Sequence, residues 1–425
     1  MHIIYVFLFV FILVVNKKRY SGTINALVLM GITFLIFPFL ATFKFLGTNS
    51  LSTMTHFCVF TSFSAFFIGY ELGGKVLITR NKDFFNSSTE PRYGFILIIS
   101  IGFLVIALTF ISKAKNIIES STWTNDMDFL RANSSQIFSS SRIATLFECV
   151  MSPILWVIFI ICLVAMTQGI KRMWFPMIIN LLTIGIVSFC FAARANVVRY
   201  LFYTIFVFFL NLNIKEGWHR LKVFFNQYKI LSFIFTIGVI FTVLFMTLKR
   251  NTSSGLGLFD NIYMYYISPF KVYDYYWNNP EFSLMHSNEF WFGGALFGSI
   301  VNLVAIACVL FFGGKYWGTD YLVTRITAIP VSIGGGIYMN AATTAMYPFY
   351  RDAKYVGLIV GFFIWGWLIK NFEGYSRHNS LRTRSIYVFL MYVVFKLNMT
   401  YEGLTPTLSI ALLMIIILTR KKAAD

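Results

Sequence analysis

Between Ile143 and Gly169 the chain reads IATLFECVMSPILWVIFIICLVAMTQG, with Glu148 as its one charged residue. A membrane-spanning helix needs about 20 mostly apolar residues, and this stretch supplies them. Comparable stretches lie at 2–15, 23–46, 51–73, 94–111, 173–193, 197–214, 230–248, 353–370, 385–398 and 405–419. Together they predict an all-α polytopic membrane protein of about 11 (10–12) transmembrane helices. Glu148 lies a turn or two inside its span. An acid in hydrocarbon is costly, so it is either paired with a neighbouring helix or functional.

Composition agrees. The 425 residues are 58% hydrophobic and only 12% charged, whereas soluble domains are roughly a quarter charged. The net charge of +18 reads as basic loops that orient helices and meet anionic lipid, so membrane lipid is an expected partner and nucleic acid is not. More than half of the 35 Lys and Arg fall in alternate loops, from Lys17-Lys18-Arg19 through Lys171-Arg172 to the tail Arg420-Lys421-Lys422. The opposite set holds short turns and two long segments, 112–142 and 249–354. The rule then places the N-terminus and both long loops outside and the C-terminus inside. Three regions follow: a bundle of eight spans over 1–248, a large outer loop with short or re-entrant helices over 249–352, and the C-terminal spans and tail over 353–425. Met1–Val15 lacks a basic leader and a small-residue cleavage site, so it reads as a retained helix. Cys58, Cys149, Cys162, Cys190 and Cys308 sit in apolar stretches without a CxxC pair, as core residues rather than disulfides or metal ligands.

The large loop is where chemistry is expected. Trp291–Phe312 is apolar enough to span, but the only return path, Val331–Tyr347, contains Gly334-Gly335-Gly336 and Asn340. A re-entrant or interfacial element held against the bundle is therefore expected. The run from Phe259 to Phe292 includes Tyr266, Tyr273, Tyr276 and Trp277, rings that either stack on sugars or form an interfacial belt. His286, three residues before Glu289, and Asp352 are candidate bases for a sugar hydroxyl, among the outer acids Asp260, Asp274, Glu281, Asp320 and Glu402.

Positive charge on the outer side also needs a reason. Arg194 and Arg199 flank a tight outer turn, with Asn196 expected to cap the second helix and Arg199 in its first turn. Guanidinium groups at a helix start suit a phosphate, or they snorkel to lipid headgroups. Arg325, Arg351 and Lys354 add charge late in the loop, and Arg351-Asp352 precedes a span opening on Gly357 and Gly361, a close-packing spacing. Asp126-Met127-Asp128 is a chance-level DxD. No P-loop, GxSxG, HExxH or kinase signature is present, so ATP use and cytoplasmic catalysis are not indicated.

This plan resembles the O-antigen polymerases of bacterial surface polysaccharide pathways (Wzy type): many spans, one dominant outer loop towards the C-terminal side, and a short final hairpin. Phe191-Ala192-Ala193-Arg194-Ala195-Asn196 is similar to the family's Ser-Arg-type outer turn, and Tyr350-Arg351-Asp352 through Gly357 to its Tyr-x-Asp-x-Gly-like entry, with the glycine displaced. Arg325 and Gly336 fit its arginine-x10-glycine spacing. The resemblance implies a metal-independent glycosyltransferase without cofactor, acting on undecaprenyl-diphosphate-linked glycans at the periplasmic face of the inner membrane, with a chain-length regulator as a possible protein partner. It implies Arg194, Arg199, Arg325 and Arg351 as diphosphate clamps, and His286, Glu289 or Asp352 as the base. A lipid-linked oligosaccharide flippase and an O-antigen ligase are the competing readings.

Overall fold

The computed structural model describes residues 2–74, 88–121, 126–229, 258–279, 284–286, 291–313, 329–339, 343–376 and 380–421, with parts of 231–240 and 318–327. The side chains of residues 126–128, Ser141, Arg194 and Leu258 lie outside this description. Thirteen labelled helices carry the fold. They are α1 His2–Tyr20, α2 Ala26–Ala41, α3 Thr53–Leu72, α4 Tyr93–Glu119, α5 Arg142–Thr167, α6 Lys171–Cys190 and α7 Arg194–Phe209. Then follow α8 Ile214–Gln227, α9 Leu258–Asn278, α10 Gly298–Phe312, α11 Met346–Ser376, α12 Leu381–Lys396 and α13 Thr407–Leu418. Each expected span coincides with one of them except 230–248, most of which lies outside the described residues. Among the described residues α4, α5, α6 and α11 are long and apolar enough to cross a membrane, while α2, α7, α10 and α13 are shorter apolar helices.

The stretch that opens the sequence reading lies at the centre. Every residue from Pro153 to Met166 is buried, because α5 packs against α6, α7, α12 and α13. A helix apolar all round belongs in such a place. α3 and α11 run side by side at backbone distance. A Cβ on Gly69 would meet the Phe363 carbonyl, and one on Gly366 the Phe66 carbonyl. Only glycine permits that approach, as at helix crossings in lipid, where small residues replace the missing hydrophobic drive. Gly357 and Gly361 have a different role: both face Phe349 of the same chain segment, because α11 is broken at Ala353 (φ −161°) and Lys354 (φ +53°). The short helix 346–352 therefore folds back on the span that follows.

The bundle has two distinct ends. At one, Lys271 of α9 donates to the carbonyls of Ala41 (2.9 Å) and Asn49 (2.5 Å). Nearby, Asp274 accepts from Ser52 and Thr55 at the start of α3, and His2 bonds Thr42. The triple glycine makes the turn of a hairpin, β2 Val331–Ser332 with β3 Tyr338–Met339, seated on residues 46–49. At the other end β1 Thr89–Pro91 pairs with β4 Thr419–Lys421, and Arg382 bonds Thr419 twice. There Glu373 joins Tyr70 and Lys370, and Arg19 and Tyr20 reach Glu71. α1 thus begins at the first end and α13 finishes at the second.

α10 rests on α13 and the turn at Glu402–Leu404. Asn302 donates to the Leu404 carbonyl and accepts the Thr319 N–H at 2.8 Å, and Thr319 Oγ1 donates to the Gly294 carbonyl at 2.8 Å. Thr319 thus lies beside the first turn of α10.

Candidate functional site

The site is built where three segments meet: the start of α7, the break in α11, and the turn between α12 and α13. α6 ends with Ala193 N–H on the Ser188 carbonyl (2.9 Å) and Ala192 at φ +46°, a left-handed closing residue where glycine is usual. That tight reversal starts α7 at Arg194 rather than after Asn196, and Ala193 gives no side-chain cap. The expected Asn196 cap is thereby corrected. Arg199 falls in the second turn and points inward, not towards lipid.

Arg199 is the most constrained of the predicted residues. Its Nη2 pairs with Glu402 Oε1 at 2.9 Å, its Nε donates to Tyr392 Oη at 3.2 Å, and its guanidinium lies 3.5 Å from the Trp156 ring centroid. The side chains of both Arg199 and Glu402 are almost enclosed, at 12% and 14% exposed. Nη1 has no hydrogen-bond partner among the described residues. One donor of a fixed fork is therefore left over in a place where it costs energy to leave it unmet.

Glu402's neighbour reaches the second segment. Tyr401 Oη receives Trp365 Nε1 (3.0 Å) and donates to the Leu296 carbonyl (3.3 Å), and its ring packs 4.6 Å from Phe349. Leu296 belongs to the turn 291–297, which Asp352 holds in place. The Asp352 carboxylate accepts the backbone N–H of Ala295 (2.8 Å) and of Leu296 (2.9 Å), while the carbonyls of Arg351 and Asp352 accept those of Trp291 and Phe292. A carboxylate so occupied is a clamp for this turn. Arg351 is fully enclosed, its guanidinium 5.5 Å from the Trp291 ring.

The aromatic residues serve packing first. Tyr273 and Tyr276 are buried, and Tyr266 packs on Phe37 and Phe395. Trp277 sits 5.1 Å from Tyr350 and 5.2 Å from His286. Tyr266, Tyr273 and Trp277 recur at helical spacing on one face of α9, a signal the sequence carried. Phe259, seven residues before Tyr266 on that face, and Tyr265 are exposed, as is Phe292 of the adjoining turn. His286 is exposed, and its Nε2 lies 2.8 Å from the Trp277 carbonyl, so Nε2 carries the proton and Nδ1 is the basic nitrogen. Lys354 holds the neighbouring Met285 carbonyl at 3.0 Å.

Arg199, Arg351, Asp352 and His286 are thus linked through consecutive contacts at one end of the bundle. Glu289, Arg325 and the Arg194 side chain lie outside the described residues, although α7 opens at Arg194. Glu148 stands on an exposed face within a π-helical turn, Phe147–Met151. The five cysteines are free thiols. Glu402 was expected only as one of the outer acids, and its pairing with Arg199 was missed. Comparison with known proteins finds no matching family model, curated protein or solved structure.

Proposed function

We propose that this protein is a membrane glycosyltransferase that polymerises undecaprenyl-diphosphate-linked oligosaccharide repeat units into a surface polysaccharide of the O-antigen type. In this reading the Asp352 end faces the periplasm of a bacterial inner membrane, with the N-terminus there and the C-terminus in the cytoplasm. The observation that carries the reading is Arg199, an enclosed guanidinium with one donor uncommitted, joined through Tyr401-Glu402 to the turn beside Arg351. A diphosphate needs such preorganised positive donors where its charge develops.

The acceptor sugar hydroxyl attacks the anomeric carbon of the donor glycan. The bond from that carbon to the diphosphate oxygen breaks, and the electron pair leaves with undecaprenyl diphosphate. Arg199 and Arg351, with Arg194 and Arg325, meet the leaving charge. The acceptor proton passes to a base, for which His286 Nδ1 is suited by its exposure and its fixed tautomer. Asp352 positions the turn instead, and the exposed rings of α9 and the 291–297 turn offer faces for sugars.

The test is a gel of surface polysaccharide from a deletion strain beside its complemented parent. Collapse of the long ladder to core carrying a single repeat supports polymerisation. Complete absence of repeats overturns it in favour of a lipid-linked oligosaccharide flippase or a ligase.

A further inference from the structure

At the end of the bundle away from Asp352, a cleft of about 690 Å3 opens between α8 and the ends of α5, α7, α11 and α12. Its polar lining includes His219, Arg220 and Gln227 from α8, Asn211 from the preceding turn, and Arg384 and Tyr387 from α12. Arg220 and Arg384 both bring a guanidinium to this one cleft. No Asp or Glu lines the cleft among the described residues. The nearest acid along α11, Glu373, is committed to Tyr70 and Lys370. Glu216, one turn before Arg220 on α8, does not line the cleft, so an oxyanion entering it is met by the two arginine forks.

α8 shows from which side the anion arrives. Ile214, Trp218 and Val223 are exposed on a helix that also carries Lys215, His219, Arg220 and Lys222 against the single acid Glu216, while Gly217 and Phe224 face inward. Gly217 lies against the Phe209 ring and leaves no room for a Cβ, which holds α8 close across the end of α7. A short basic helix with an exposed tryptophan and aliphatics, packed flat over helix ends, is built for a bilayer interface. Val223, Phe206 and Phe224 continue the cleft as an apolar wall.

We propose that this cleft binds a phosphate oxyanion, held by Arg220 and Arg384 and presented at the membrane surface. The source is an anionic phospholipid headgroup or a soluble phosphate, and the two are separable. The site does not depend on the glycan reading, since it lies at the other end of the molecule.

The experiment uses the full-length protein in a neutral maltoside detergent. Binding of dioctanoyl phosphatidylglycerol, dioctanoyl phosphatidylcholine and inorganic phosphate is measured by native mass spectrometry and calorimetry. Arg220→Ala removes an exposed cleft residue without opening the core. Lys222→Ala removes the same charge from the same helix outside the cleft. Saturable binding of the anionic lipid, weakened about tenfold or more by Arg220→Ala and less than about twofold by Lys222→Ala, establishes the site. If inorganic phosphate competes, the ligand is a soluble phosphate; if it does not, the ligand is the lipid. Equal binding by wild type and Arg220→Ala, or no saturable binding of either anion, overturns the proposal. Arg384→Gln is a supporting variant only where thermal unfolding shows that it folds.

Discussion

Arg199 and Glu402, 203 positions apart in the chain, meet at 2.9 Å with both side chains almost enclosed. Breaking an enclosed pair by removing one member leaves the other charge without compensation, at a cost of about 3–5 kcal/mol. Glu402→Ala is therefore expected to lower the unfolding temperature in detergent substantially. Arg199→Lys keeps the charge but loses the fork that engages Tyr392 and Glu402 together. It should fold, insert and give a shortened glycan ladder. A wild-type ladder from Arg199→Lys removes this residue from the proposed site.

Asp352 holds the turn 291–297 through backbone donors, so its replacement should release that turn. Asp352→Asn leaves one acceptor oxygen and turns an amide N–H towards an N–H, costing about 2 kcal/mol. A cysteine placed at the buried Ala295 should react with a maleimide in the Asp352→Asn background and stay protected with Asp352 present. Equal protection in both backgrounds would show that the turn stands without the clamp.

The crossing of α3 and α11 gives a sharper steric prediction. Gly69→Ala and Gly366→Ala each place a Cβ on a carbonyl oxygen of the partner helix, where neither backbone can yield cheaply. Each should cost about 1–3 kcal/mol or prevent stable insertion. Gly102→Ala and Gly374→Ala meet nothing within 4 Å and should be neutral or stabilising by up to about 1 kcal/mol. Chemical unfolding of the four variants decides it.

Lys271 gives a pH dependence of known sign. Burial pushes its ammonium down to about 8, with Asp274 pulling the other way, while the unfolded chain titrates near the ordinary lysine value of about 10.4. Between those values the unfolded state binds the proton and the folded state does not, so stability rises with pH over that window and the contribution is lost as pH falls through about 8. The difference in stability between wild type and Lys271→Met should grow from pH 8 to 10. A flat difference over that range would contradict it.

How much of this was legible in the sequence varies with the kind of interaction. The helices were legible where runs of apolar residues exceeded the length needed to cross hydrocarbon, and the break near residue 353 falls where the last large span was expected to begin. The crowding of Arg351-Asp352 at a helix end was also legible. Their partners were not. Asp352 binds backbone N–H groups, which carry no residue signature, and Arg199 binds a carboxylate brought near only when α13 returns beside α5. The tyrosines of α9 carried a helical period, but period does not distinguish a packing face from a sugar-binding face.

The sequence determined that α4 and α5 are apolar helices: their mean hydropathies, 2.8 and 2.7, are nearly equal. Tertiary structure alone decided that α5 is the centre of the bundle and α4 its rim, with 83% and 22% of their most apolar stretches buried. The physical reason is that an apolar side chain gains little by exchanging lipid for protein. Hydropathy therefore fixes that a helix can enter the membrane, while its position follows from shape: glycine crossings, the Ala192 reversal, and polar groups such as Arg199 and Asp352 that must find partners.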